Sequence, residues 1–162
     1  MEFSDFQCPH CKEAQPTVER LLKDYPQAHF VSQVFPLRSI HSEAEKAAEN
    51  GVCVAKIGGN DAFFKYTDAI YANQEQLTPA GSAQALATAV KTAGVDDAKV
   101  NACVAEPSTK AAVDASLKLG DEVGVNQTPL LFVNGRMLPL GGFPYDQLKK
   151  IIDYDLAQNP AK

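Results

Sequence analysis

The first 35 residues constrain the fold more than anything after them. Glu2-Phe3-Ser4-Asp5-Phe6 reads as a short strand that runs straight into Cys8-Pro9-His10-Cys11. Residues Pro9 to Asp24 then carry Ala14, Val18, Leu21 and Leu22 as an apolar stripe at helical spacing, with Pro16 predicting a kink. Residues 29–35, His-Phe-Val-Ser-Gln-Val-Phe, are β-rich and short. A strand, a helix and a second strand in this span ask for a right-handed parallel crossover, which is half of an α/β sheet.

From residue 42 to residue 124 the chain becomes rich in Ala and is punctuated like a set of helices. Gly58-Gly59 stop a first helix and Asn60 caps a second. Thr78-Pro79 open a third, Gly94 closes it, and Ser108 caps the last. Strand character returns at Leu130-Leu131-Phe132-Val133, where Asn134-Gly135 is a two-residue hairpin turn into Arg136-Met137-Leu138. A final helix is expected over residues 145–156. The order is β-α-β, helical insert at about 40–124, then β-β-α, an α/β fold with a mixed sheet. At 162 residues and 45% hydrophobic, one compact unit spanning 1–162 is expected. Phe63, Phe64, Tyr66, Ile70 and Tyr71 recur at helical spacing and are read as core packing.

A net charge of -5, with Lys and Arg scattered, leaves no basic stripe for nucleic acid or anionic lipid. No apolar run approaches the roughly 18 residues that span a bilayer. The chain opens inside its first strand, so further residues are expected upstream of Met1, where any export signal or anchor would lie.

The four cysteines divide into a close pair and two distant singles, Cys53 and Cys103. Where a strand ends and a helix begins, the first cysteine of a C-x-x-C faces unpaired N–H groups and the positive end of the helix dipole, both of which favour a thiolate. The second lies one turn inside, within reach of the first sulfur. Cys8 is thereby the nucleophile and Cys11 the resolving thiol, and an imidazolium at His10 would lower the Cys8 pKa further. The competing reading is half a zinc site. It needs a second ligand pair, and His29, His41, Cys53 and Cys103 are scattered singly, so no metal is expected. His29 and His41 are read as surface or capping residues.

The segment Glu2-Phe3-Ser4-Asp5-Phe6-Gln7-Cys8-Pro9-His10-Cys11 resembles the active-site segment of DsbA-type thioredoxin-fold thiol-disulfide oxidoreductases. The resemblance continues through Phe35-Pro36-Leu37, Ala44-Glu45-Lys46-Ala47-Ala48, Gly124-Val125-Asn126-Gln127-Thr128-Pro129 and Phe132-Val133-Asn134-Gly135, so it covers nearly the whole chain. It implies a thioredoxin-like sheet interrupted by a helical insert. It implies that Thr128-Pro129 is a cis-proline loop against the nucleophilic sulfur, offering backbone groups to an extended substrate. Pro16 matches the kinked helix. Glu2 matches a buried acid beneath the cysteines that helps move the proton of Cys11; its other reading is a solvated charge. Cys53 and Cys103 are either two buried thiols or, as in some relatives, a second disulfide tying the insert.

The activity implied is that of an exported, periplasmic oxidase donating the Cys8-Cys11 disulfide to reduced or unfolded exported proteins. A membrane quinone-linked thiol oxidase would recharge it. It would act as a monomer with no cofactor beyond that disulfide. A reductase or isomerase of the same fold is the alternative, and from another class a zinc-binding or holdase module.

Overall fold

The opening crossover forms around a strand of only three residues. In the computed structural model, which describes residues 1–158, β1 (Glu2–Ser4) leads into α1 (Pro9–Asp24), and β2 (Ser32–Val34) returns parallel to β1 with Phe3 opposite Gln33. The β2 ladder is shorter than the 29–35 pattern because its partner β1 is itself short. Single bonds from Glu2 N to Val31 O (2.8 Å) and from Phe35 N to Ser4 O (2.7 Å) extend it one step at each end. The opening strand stops at Ser4, not Phe6, because the Asp5 carboxylate accepts the Gln7 N–H at 2.7 Å, an Asx turn that swings the chain out of the sheet.

On the other side of β1, β3 (Leu130–Val133) runs antiparallel, and β4 (Arg136–Pro139) runs antiparallel to β3, giving a mixed sheet in the order β2-β1-β3-β4. Asn134 and Gly135 join them at φ of 47° and 84°, the left-handed geometry that a two-residue turn needs. Side chains alternate between the faces. Leu131 and Leu138 pack with Val18 and Leu21 of α1 and Leu148 of α6 (Tyr145–Gln158). Phe3, Phe35 and Leu130 pack on the opposite face with Leu117 of α5 (Pro107–Glu122). A Cβ on Gly120 would stand 2.4 Å from a ring carbon of Phe35, so this residue sets how closely α5 approaches the sheet.

The insert comprises α2 (Ala44–Ala72), a 3-10 turn (Gln74–Gln76), α3 (Ser82–Thr92), α4 (Asp97–Val104) and α5. Gly59, at φ 77°, breaks α2 where the Gly58-Gly59 pair predicts a stop. Two expected starts are corrected. Thr78 does not open α3; its hydroxyl accepts the Gly81 N–H at 3.1 Å and closes the preceding turn. Pro107, not Ser108, begins α5, and the Ser108 hydroxyl bonds the Glu106 carboxylate at 3.1 Å. Sequence periodicity does not reveal α4, which buries only Val100 and Cys103 and is started by the Asp96 carboxylate accepting the Lys99 N–H at 3.0 Å.

Cys53 of α2 and Cys103 of α4 form a disulfide, with Cα atoms 5.9 Å apart, inside a small-residue core that includes Ala47, Ala85, Ala89 and Val113. Phe63, Tyr66 and Tyr71 close around Phe6, whose ring lies 5.4 Å from that of Tyr66, so the aromatic cluster docks the insert onto the segment that carries Cys8. Among the described residues no helix is long and apolar enough to cross a membrane.

Candidate active site

Cys8 is the N-cap of α1, with extended backbone angles and Pro9 in the first helical turn, where a missing N–H costs nothing. Cys8 and Cys11 are free thiols, only 5% and 2% exposed. The Cys8 thiol is pulled down to about 5. The largest cause is a hydrogen bond from the Cys11 thiol, followed by the Thr128 side chain and the backbone N–H groups of Cys11 and His10, while burial acts the other way. Cys11 is pushed far up by burial and then by its neighbour Cys8, so it stays a protonated donor. Its sulfur also accepts the Asp5 N–H at 3.4 Å. One sulfur is thus poised as an anion and the other as its proton donor, the division of labour that thiol-disulfide exchange needs.

Thr128-Pro129 lies against this pair. The peptide bond between them is cis, and as a neutral thiol Cys8 donates to the Thr128 carbonyl at 3.6 Å. The Thr128 hydroxyl is buried and has no hydrogen-bond partner in the neutral dithiol. A thiolate gives it an acceptor, which is why it favours the ionised form of Cys8. A groove runs along the Thr128-Pro129 loop and the start of α1, lined by His10, Glu13, Gln127, Thr128, Pro129, Pro139, Gly141 and Gly142.

His10 enters differently from the sequence expectation. Its ring is 69% exposed and pairs with Glu13 at 3.1 Å, which is the main reason its pKa is raised; the Cys8 thiolate adds to this. What His10 gives Cys8 directly is its backbone N–H, behind Cys11 and Thr128 in weight. Glu2 is buried, not solvated, and burial pushes its carboxyl up to about 7. Tyr71 joins it: burial holds its phenol well above the ordinary range, and the charge of Glu2 adds to this. Glu2, Tyr71 and Cys11 are all buried.

His41, read from the sequence as a surface or capping residue, has a side chain only 15% exposed. Its Nδ1 lies 2.7 Å from the carboxylate of Asp5, itself fully enclosed. His29 is exposed. Among the described residues no three His, Cys, Asp or Glu side chains come together to hold a metal ion.

The sequence profile of the thioredoxin family matches residues 1–154. The chain belongs to the thioredoxin family. A probable disulfide bond formation protein D from Bacillus cereus is 28% identical, an alignment covering 96% of this chain and 73% of that protein. A Na(+)/H(+) antiporter, NhaA 3 of Salinispora tropica, is 32% identical over 84% of this chain, which spans only 20% of the antiporter's length. The crystal structure of the thiol-disulfide exchange protein α-DsbA2 from Wolbachia pipientis superposes with a TM-score of 0.81 at 20% identity, over 94% of this chain and 78% of that one. The chain shares its fold with that structure, and its mixed sheet interrupted by a helical insert is the architecture that the sequence resemblance implies.

Proposed function

We propose that this thiol-disulfide oxidoreductase works as an oxidase, donating the Cys8-Cys11 disulfide to reduced or unfolded exported proteins outside the cytoplasm. The observation that carries this reading is the placement of Cys8 at the N-terminus of α1, against the Thr128-Pro129 loop and within reach of the Cys11 thiol, an environment that pulls its thiol down to about 5. Whatever stabilises the thiolate stabilises the reduced pair, and a stable reduced product makes the disulfide a strong oxidant. A substrate thiolate attacks the Cys8 sulfur, the Cys8-Cys11 bond breaks, and Cys11 leaves with the electron pair. Glu2, near 7 and buried with it, is the acid suited to return a proton to Cys11. A second substrate thiolate then takes the substrate sulfur and expels Cys8, so two electrons pass from substrate to the pair. The groove along Thr128-Pro129 and His10 supports an extended segment as the attacking partner. The protein would act as a monomer, one thioredoxin-like domain with its insert, recharged by a membrane quinone-linked thiol oxidase.

The test is to mix oxidised protein with a reduced, unfolded substrate and count substrate thiols lost, with insulin reduction followed in parallel. Rapid stoichiometric oxidation, absent in Cys8→Ala, supports an oxidase. Efficient catalysis of insulin reduction with slow substrate oxidation assigns the protein to the reductase or isomerase class.

A further inference from the structure

Asp5 is 1% exposed, yet its carboxylate is met by the Gln7 N–H at 2.7 Å, the Leu37 N–H at 2.8 Å and His41 Nδ1 at 2.7 Å. Its own N–H points the other way, to Cys11 Sγ at 3.4 Å. His41 comes from the segment between β2 and α2, in a turn closed by the Ile40 and His41 N–H groups on the Leu37 carbonyl at 3.0 and 2.9 Å. The His41 carbonyl receives the Ala44 N–H at 3.3 Å where α2 begins. One imidazole therefore ties the insert's first turn to the residue whose amide faces the resolving sulfur.

We propose that His41 is a positioning residue for Cys11: by holding the Asp5 carboxylate it aims the Asp5 amide at the sulfur and stabilises the reduced pair. This rests on Cys8-Cys11 being the redox couple. A hydrogen bond to sulfur is stronger when the sulfur carries charge. In the forward step the disulfide bond breaks and Cys11 carries the electron pair until it takes a proton, and the Asp5 N–H meets that charge. In the reduced pair Cys11 is protonated and shares its proton with the Cys8 thiolate, which leaves its sulfur richer in negative charge than a disulfide sulfur, so the contact favours dithiol over disulfide. Losing His41 frees the Asp5 carboxylate from one of its three fastenings and loosens the aim of the Asp5 amide, which shifts the couple towards a more reducing potential. A residue that merely packs would lower the stability of both redox forms and leave their ratio unchanged.

The experiment equilibrates wild type, His41→Leu and His41→Asn with glutathione buffers; the Asn amide nitrogen can occupy the place of Nδ1. His41→Leu is expected to shift the equilibrium towards disulfide by about two- to tenfold, the weight of one hydrogen bond. His41→Asn should stay within about twofold of wild type for the same reason. In wild type the Asp5 amide proton should move downfield on reduction, a reading that does not depend on the Leu variant folding. An unshifted equilibrium in His41→Leu, an Asn variant as displaced as Leu, or a stationary Asp5 amide overturns the role of His41 while the redox couple stands. A wild type that does not exchange with glutathione overturns the couple itself.

Discussion

Gln74 Nε2 lies 2.9 Å from the backbone oxygen of Cys8, the atom that also accepts the Cys11 and Lys12 N–H groups opening α1. The same nitrogen donates to the Phe6 carbonyl at 2.9 Å. Gln7 completes the clamp: it donates to the Leu77 carbonyl at 2.8 Å, and its Oε1 accepts the Glu43 N–H at 2.7 Å. The backbone on both sides of the nucleophile is thus fastened to the insert. Gln74→Leu should lower the unfolding free energy by roughly 1–3 kcal/mol, since it strips hydrogen bonds from partly buried carbonyls. It should also slow mixed-disulfide formation at Cys8. Urea unfolding and a stopped-flow thiol reaction check both, and an unaltered variant contradicts the clamp.

Thr128→Val removes a hydroxyl that has no partner in the neutral dithiol and keeps the shape of the side chain. With Cys8 protonated, the reduced protein should therefore be as stable as wild type, or gain up to ~1 kcal/mol, because no hydrogen bond is lost. In the reduced protein the hydroxyl helps to hold the Cys8 thiolate, so its loss should raise the Cys8 pKa and make the couple more reducing. His10→Ser should act in the same direction but less, since the His10 ring is turned to Glu13. Titration of both variants settles the ranking, and a larger shift in His10→Ser contradicts it.

The Cys53-Cys103 bond closes a loop of 50 residues. On the chain-entropy relation that loop contributes roughly 4 kcal/mol. Replacing both cysteines by Ala should lower the denaturant midpoint by a corresponding amount and leave the glutathione equilibrium of Cys8 and Cys11 unchanged. A coupled change in that equilibrium would mean that the bond shapes the active site as well as the insert.

What the sequence makes legible here is what local patterns encode. The strand-to-helix position of Cys8, the hairpin at Asn134-Gly135 and the break at Gly59 are each dictated by residues within a few positions of one another. The fastenings of the site are not local. Asp5 meets His41 across 36 positions, and Gln74 meets Cys8 across 66, through single polar side chains that leave no periodicity. The Asx turn at Asp5 was open to sequence reasoning, since an Asp at the end of a strand commonly bonds the N–H two residues on. The short α4 buries too few residues for an apolar stripe to stand out. For His10 the sequence shows the position beside Cys8, whose thiolate does raise the imidazole's pKa, but not Glu13 pairing with its ring.

Stability should depend on pH differently in the two redox forms. Cys8 is depressed from 9.0 to about 5 in the folded reduced protein, so its stabilisation is complete above the unfolded value and is lost as pH falls through about 5. Glu2, raised from 4.5 to about 7, acts oppositely: its contribution is full below 4.5 and lost as pH rises through about 7. Glu2 is present in both forms, so subtracting the oxidised curve from the reduced one isolates the cysteine. That difference should climb by about 1.4 kcal/mol per pH unit between the two Cys8 values. A flat difference contradicts a buried thiolate.

Titration of the Cys8 thiolate by its ultraviolet absorbance, in reduced protein against the Cys8→Ala variant, bears most directly on the oxidising character of the pair. A midpoint near 5 is expected, with Cys11 silent through neutral pH. A midpoint close to the ordinary thiol value of 9.0 would contradict it, because the reduced pair would then have no special stability to make its disulfide an oxidant.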